Sequence, residues 1–403
     1  MPDAIRKLGL SKKEASQKKG GDAMDELTTT SRWTIPQPWR GLFGVAVTVG
    51  YAFLITAIFD LKTFNGFFTL LIMSFIPVLV MVGMGWQRGT YPSTEGLQQP
   101  WRGLLLTAFV VLIGTIASYF ILNFLSRGAA QPFTNVYAIT VVITTFFLVI
   151  AFGLWPFHKL PLSGRGWLTL LLAYVLMWFL LKLFFSFELL SFPAGDFPST
   201  VKAVPFYAKG GPLAAFADIA PSGLFRWECA ISFYFWMLVF LFVFAALGMW
   251  PLNKVPGIMK QPVLGIVLVI ICAILAVISY GIGVSGLKIE PLNFMLVGVC
   301  FLYGLLMMMV MFQMWPGRAL PGPGAGFVNI LIAIVIGIIA YYAYKAFALW
   351  HFGDAGLKYP NNVFVLANMM LGLTFPAWAC YGDLWDFWPL PPTPAPPDSP
   401  SPE

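Results

Sequence analysis

Charge is what this chain has least of: only 10% of its 403 residues are Asp, Glu, Lys or Arg, against 59% that are hydrophobic. A soluble domain of this size cannot present such a composition to water. Cysteine is nearly as scarce, and Cys229, Cys272, Cys300 and Cys380 stand singly with no close-spaced pair. That excludes a disulfide framework and a CxxC metal site. The two histidines, His158 and His351, lie far apart in sequence, which excludes bis-histidine haem, a multi-histidine iron centre and chlorophyll ligation by several histidines. A P-loop, GxSxG and HExxH are also missing. "GPGAG" at 322–326 lacks the preceding strand of a dinucleotide fingerprint and reads as a linker.

What the chain has in quantity is long apolar runs, with a mean hydropathy of +0.80. A spanning helix needs about 20 mostly apolar residues. Ten stretches qualify, at roughly 41–60, 66–86, 103–125, 136–155, 166–190, 226–250, 263–285, 292–314, 324–349 and 363–384. The predicted fold class is therefore an all-α polytopic membrane protein. Residues 1–40 are too polar for a secretory signal peptide and are expected to persist as a disordered tail; the Pro-rich segment 390–403 is expected to be disordered as well. Between them, 41–389 is predicted to form the transmembrane domain.

Arg88, Arg102, Lys159, Arg165, Lys254, Lys260 and Arg318 fall on the side of the N-terminus, with Arg32 and Arg40 in the tail. The opposite short loops carry Lys62, Arg127, Lys288 and Lys358. This bias predicts both termini in the cytoplasm of a multi-pass protein of a cell membrane, a bacterial inner membrane in the first instance. The formal net charge of +7 reads as loop orientation and contact with anionic lipid, with no nucleic-acid footprint.

The apolar runs are punctuated regularly. A proline follows a tryptophan by six residues at Trp86/Pro92, Trp155/Pro161, Trp250/Pro256, Trp315/Pro321 and Trp388/Pro394, and P-x-x-G precedes each odd-numbered span, at Pro38, Pro100, Pro161, Pro262 and Pro323. "QPWRGL" at 37–42 recurs at 99–104. The pattern predicts five tandem pseudo-repeated hairpins, 41–86, 103–155, 166–250, 263–315 and 324–388, the third carrying an outer insertion at 191–225. Tryptophan suits the headgroup level, proline stops a helix, and glycine lets the next helix start against a neighbour.

Few residues are placed to carry chemistry. Lys182 is the deepest ionisable group of the fifth span, about 12 Å below its predicted outer end at 1.5 Å per residue. Glu228, opening the sixth span, is its candidate partner, with Glu188 second. The alternative reading is a lysine whose charge snorkels to the interface beside two interfacial carboxylates. Pro77 and Pro376 interrupt the second and tenth spans within the same P-x5-G-x2-W pattern, which ends at Trp86 and Trp385. Such breaks free backbone carbonyls that can line a solute site, and Asn368 sits two turns before Pro376; ordinary kinks are the competing reading. Cys300, Met307, Met311 and Met314 share one face of the eighth span, a weak candidate row for Cu(I), although methionine also fills gaps. The expected function is a permease or channel for a small solute. The alternative is a non-catalytic subunit that anchors or assembles a larger inner-membrane complex. No catalytic residue and no cofactor is expected; the expected partners are membrane lipids, a homo-oligomeric copy or other membrane subunits.

Overall fold

The computed structural model describes residues 35–86, 90–194, 200–205, 207, 211 and 213–391. Most of the two polar tails, with the disorder expected of them, and Arg88 lie outside the described residues. Ten helices dominate: α1 Trp39–Ile58, α2 Leu61–Gly85, α3 Trp101–Leu125, α4 Pro132–Ala151, α5 Leu162–Phe184, α6 Trp227–Ala246, α7 Val263–Gly286, α8 Pro291–Val310, α9 Gly324–Leu357 and α10 Asn361–Leu384. All ten are long and apolar enough to cross a membrane, and they fit a multi-pass membrane protein.

The helices fall into two classes. In α2, α4, α6, α8 and α10 between 61% and 83% of the most apolar stretch is buried, whereas in each of the five odd-numbered helices the share is 28%. The even-numbered helices form a closed inner ring: α2 packs on α4, α4 on α6, α6 on α8, α8 on α10, and α10 returns to α2. The odd-numbered helices lie outside it. Their main partners are not the helices that follow them in sequence. Instead α3 rests on α2 and the end of α10, α5 on α4 and the end of α2, α7 on α6 and the end of α4, α9 on α8 and α6, and α1 on α10 and the end of α8. Each outer helix turns and parts from the inner helix that follows it, α9 alone also packing along the start of α10.

Glycine fixes these crossings. A Cβ on Gly41 would lie 2.7 Å from the Phe312 ring, one on Gly103 2.8 Å from Trp385, one on Gly265 2.3 Å from Phe152, and one on Gly326 2.6 Å from the carbonyl of Ala246 and 2.9 Å from Leu247. At these four contacts any side chain would force the outer helix off the ring. The Pro161/Gly164 match does not behave this way: nothing lies within 4 Å of a Cβ on Gly164, and Gly166 makes the approach instead, its Cβ position 1.9 Å from Trp86 Nε1. Phe152, Leu247, Phe312 and Trp385 each stand three residues before Trp155, Trp250, Trp315 and Trp388. Trp86 plays their part and not that of the punctuating tryptophans. It is fully buried, whereas Trp155 is 37% and Trp388 41% exposed. The Trp86/Pro92 spacing is thus out of structural register with the other four. Those four helix ends share a turn in which two successive residues adopt left-handed backbone: Gly153 and Leu154, Gly248 and Met249, Gln313 and Met314, Asp386 and Phe387.

A second device accompanies three of the crossings. Gln37, Gln99 and Gln261, each just before the proline that opens an outer helix, donate Nε2 to the carbonyls of Met311 (3.0 Å), Leu384 (2.8 Å) and Ala151 (2.8 Å). These carbonyls, at the ends of inner helices, have no partner within their own helix. Gln37 and Gln99 also accept from the Gly41 and Gly103 amides through Oε1. Where the glutamine is missing, Trp86 Nε1 donates to Ser163 O (3.3 Å) and Asn329 Nδ2 to Met314 O (2.9 Å). The ends of α1 and α3 are further tied to the turn after α10, Arg102 lying 3.6 Å from the Asp386 carboxylate and Arg40 donating to the Asp386 carbonyl.

Two spans end elsewhere than the hydropathy indicated. The fifth helix stops at Phe184, not near 190, because Phe185–Ser186 (β1) pairs in parallel with Phe225–Arg226 (β4). A Cβ on Gly223 would meet the Phe185 amide nitrogen at 2.6 Å, so the returning chain occupies the space a further helical turn would need. Within the insertion Leu189–Ala194 (β2) and Thr200–Pro205 (β3) pair antiparallel. The ninth helix runs on to Leu357, bent at Gly353, whose φ is +62°.

Candidate functional site

Inside the ring is a chamber of about 60 Å³ to which every inner helix contributes: Met73 and Ile76 from α2, Val142 from α4, Phe235 and Leu238 from α6, Leu302 from α8, and Phe364 and Asn368 from α10, among others. Its wall is almost wholly apolar. Asn368 is the polar exception, and its Nδ2 is committed to Thr69 Oγ1 at 2.7 Å, across the seam where the last inner helix meets the first. A chamber so lined repels water.

Aromatic rings stand at both ends. At the face bearing the insertion, Phe364 stacks with Trp227 (6.1 Å), Trp227 with Phe187 (5.6 Å), and Phe187 meets Phe133 edge-on (6.2 Å), beside Tyr207. Phe133, Phe187, Tyr207 and Trp227 are all buried. Phe187 lies between β1 and β2, just ahead of the insertion, and Phe187 N donates to Pro221 O (2.9 Å), so the end of the insertion folds back beside it over the ring. Toward the opposite face, where α1 begins and α10 ends, Phe146 packs edge-on against Phe242 (5.0 Å) and at a tilt against Phe375 (6.0 Å).

Pro376 follows a wider, π-type turn over Asn368–Thr374, and Thr374 Oγ1 donates to Met369 O at 2.8 Å. With its proton used there, Thr374 accepts from Tyr344 (2.6 Å), which in turn accepts from Tyr303 (3.1 Å). The chain of hydroxyls ties α8, α9 and α10 together in the interior, where unmade hydrogen bonds are costly. Pro77 is buried in α2, and Gly372 brings α10 against Ile72 at 2.7 Å from its Cβ position. Of the residues picked out in the sequence, Asn368 faces the chamber directly, Pro77 and Pro376 shape helices of its wall, and the rest lie elsewhere.

Lys182 occupies the last turn of α5, about 3 Å from its end at 1.5 Å per residue, because that helix stops at Phe184. It is exposed, with Nζ 4.8 Å from the centre of the Trp178 ring. Glu188 is also exposed. Glu228 is buried (1%), and the cation beside it is Arg226, at 3.3 Å. An exposed cation–π contact is worth about 0.5–1 kcal/mol, so Lys182→Leu is expected to leave folded yield and thermal midpoint in detergent close to wild type; a collapse in yield would show that the charge serves an interior partner.

Near Glu228 the same face gathers Glu290 and Tyr359. Glu290 caps α8, its Oε2 accepting from Leu292 N (2.9 Å) and Asn293 N (3.0 Å), and its Oε1 accepting from the Tyr359 hydroxyl. Burial raises the Glu290 carboxyl above the usual carboxylate range despite these donors, and the charge of Glu228 adds to the rise. The sulfur row Cys300, Met307, Met311 and Met314 does not line the chamber. Cys300 faces a crevice between α8 and α9, Met311 packs against Gly44 of α1 near the opposite face, and Met314 gives its carbonyl to Asn329. No group of three or more His, Cys, Asp or Glu suited to a metal occurs among the described residues.

The aromatic cap and the glutamine latches were not picked out from sequence. The recurring Gln-Pro before three odd-numbered spans was a visible signal for the latches. For the cap, only the aromatic content of the insertion hinted at burial. Compared with protein-family models, curated proteins and solved structures, the chain matches none.

Proposed function

We propose that this protein is a permease or channel for a small uncharged solute, with the chamber inside the ring as its path. The observation that carries this reading is the common lining: five helices from five parts of the chain converge on one apolar chamber flanked by aromatic side chains at both ends. An apolar constriction of this size bars ions by dewetting while admitting a small neutral molecule once the rings move. A helix packed only for stability has no need of a shared central space.

The reading includes five repeated hairpins in a bacterial inner membrane, both termini cytoplasmic. The recurrent glycine crossing, the same offset from each punctuating tryptophan in four cases, and the glutamine latches support the repeat. The 28% burial of every outer helix supports a lipid-facing belt, and Arg102, Lys159, Lys254, Lys260 and Arg318 support the orientation.

The test is stopped-flow flux into liposomes containing the purified protein. Small neutral solutes are expected to enter faster than in protein-free liposomes, and ions are not. Phe364→Ala, which removes the ring joining chamber to cap, is expected to raise the neutral flux by about tenfold or more, the equivalent of about 1.4 kcal/mol in a barrier. No flux through either protein, both folded, would overturn the reading and leave the anchoring subunit of a larger complex in its place.

A further inference from the structure

A second, larger space lies outside the ring. Between α8 and α9 a crevice of about 440 Å³ opens sideways, away from the chamber. The two helices touch backbone to backbone at Gly304, whose Cβ position is 2.0 Å from Ala333 O, and at Gly337, 2.4 Å from Cys300 O. Beyond that contact, toward the insertion face, they part. The floor of the wedge is Cys300, its flanks are Val297 and Ile338, 51% and 55% exposed, and Asn293, Tyr341 and Asn362 stand at its head.

The crevice is graded. Its lower walls are apolar, while at the head Asn362 Nδ2 donates to Asn293 Oδ1 (3.3 Å) and the Asn362 Oδ1 is buried with no hydrogen-bond partner among the described residues. A buried carbonyl oxygen of this kind requires a donor. One turn beyond Tyr341, Lys345 holds its ammonium 5.6 Å from the Tyr341 ring centre and adds a positive charge to the same end. From Ile334 to Lys345 the helix rises about 16 Å, half of a hydrocarbon layer about 30 Å thick.

We infer that this crevice binds one phospholipid of the adjoining leaflet, an acyl chain lying between Val297 and Ile338 and the head region held by Asn362 and Lys345. The inference rests on the membrane placement proposed above but not on transport. Apolar walls as deep as one leaflet take the chain, the unpaired amide oxygen takes a glycerol or headgroup donor, and the lysine takes the phosphate. Bulk lipid needs none of these: outer helices such as α3 expose Leu112 and Ile116 on a surface that any chain can slide past.

The test uses the full chain in nanodiscs containing a phosphatidylglycerol with a photoreactive diazirine at mid-chain, with adducts mapped by mass spectrometry. Labelling is expected to concentrate on the α8 segment around Val297, several-fold above the α3 segment around Leu112, and to fall to the α3 level in Ile338→Trp, which fills the wedge from an exposed position. If that variant does not fold, Val297→Phe serves the same purpose. Asn362→Leu is expected to weaken retention of the co-purified lipid by about threefold to tenfold, as for loss of one hydrogen bond. Equal labelling of α8 and α3, or labelling of α8 that Ile338→Trp leaves unchanged, would mean ordinary bulk lipid only and would overturn the inference. Absence of labelling on both helices would overturn it together with the membrane placement.

Discussion

Gly166→Leu is expected to abolish most of the folded protein, whereas Gly164→Ala, two residues away near the start of α5, is expected to be tolerated or mildly stabilising. A Cβ on Gly166 would sit 1.9 Å from Trp86 Nε1, and nothing lies within 4 Å of one on Gly164. Trp86 cannot step aside: it is fully buried, donates to Ser163 O, and is packed edge-on by Tyr91 (5.0 Å) and Trp167 (5.0 Å). Overpacking a filled site costs about 1–3 kcal/mol, and more when neighbours are locked. The cost adds to a lost hydrogen bond of about 1 kcal/mol. At Gly164 the only change is a better helix former, worth up to about 1 kcal/mol. Size-exclusion profiles and thermal midpoints in detergent separate the two. Equal behaviour of both variants would refute the crossing of α5 over the end of α2.

That pair also shows how far the sequence could be read. The number of long apolar helices was legible because apolar runs and Pro-Gly punctuation are local signals, and all ten fall where those runs lie, the ends of the fifth and ninth excepted. The partition into inner ring and outer belt was not. In an apolar surround the outward face of a helix is as hydrophobic as its packed face. The most apolar helix, α7 at a mean hydropathy of 3.0, is 28% buried, while α10, at 1.7, is 67% buried. Hydropathy therefore carries no information about which helix faces the axis. The interlacing of each outer helix with inner helices other than the one that follows it was hidden for the same reason, since nothing local to α3 names α10 as its neighbour.

Register was the second limit. Trp86 matches the punctuating tryptophans by its distance to Pro92, yet matches Trp385 through the P-x5-G-x2-W pattern from Pro77 and Pro376. Packing against an outer-helix glycine selects the second match. The depth assigned to Lys182 failed for a physical cause that composition conceals: the apolar stretch continues to Leu190, but its residues beyond Phe184 turn into strands that carry Phe187 over the mouth of the ring. Asn368 was reached by its place before a proline; it faces the chamber and donates to Thr69.

The central claim, that the chamber is the path, makes its own large prediction. With the native cysteines replaced by alanine, a single cysteine at Leu302 lies on the chamber wall and is 2% exposed in the closed protein, whereas one at Leu331 lies on the outer surface, 65% exposed. Methyl methanethiosulfonate is small and uncharged, and on Leu302→Cys it would add its bulk to a space of about 60 Å³. There is no room for it beside a passing solute. The most direct measurement is neutral-solute flux into liposomes before and after this reagent. The account predicts near-complete loss of the protein-dependent flux for Leu302→Cys, restored by a reducing thiol, and no change for Leu331→Cys. Unaltered flux through a Leu302→Cys protein shown by mass spectrometry to be fully modified would contradict it.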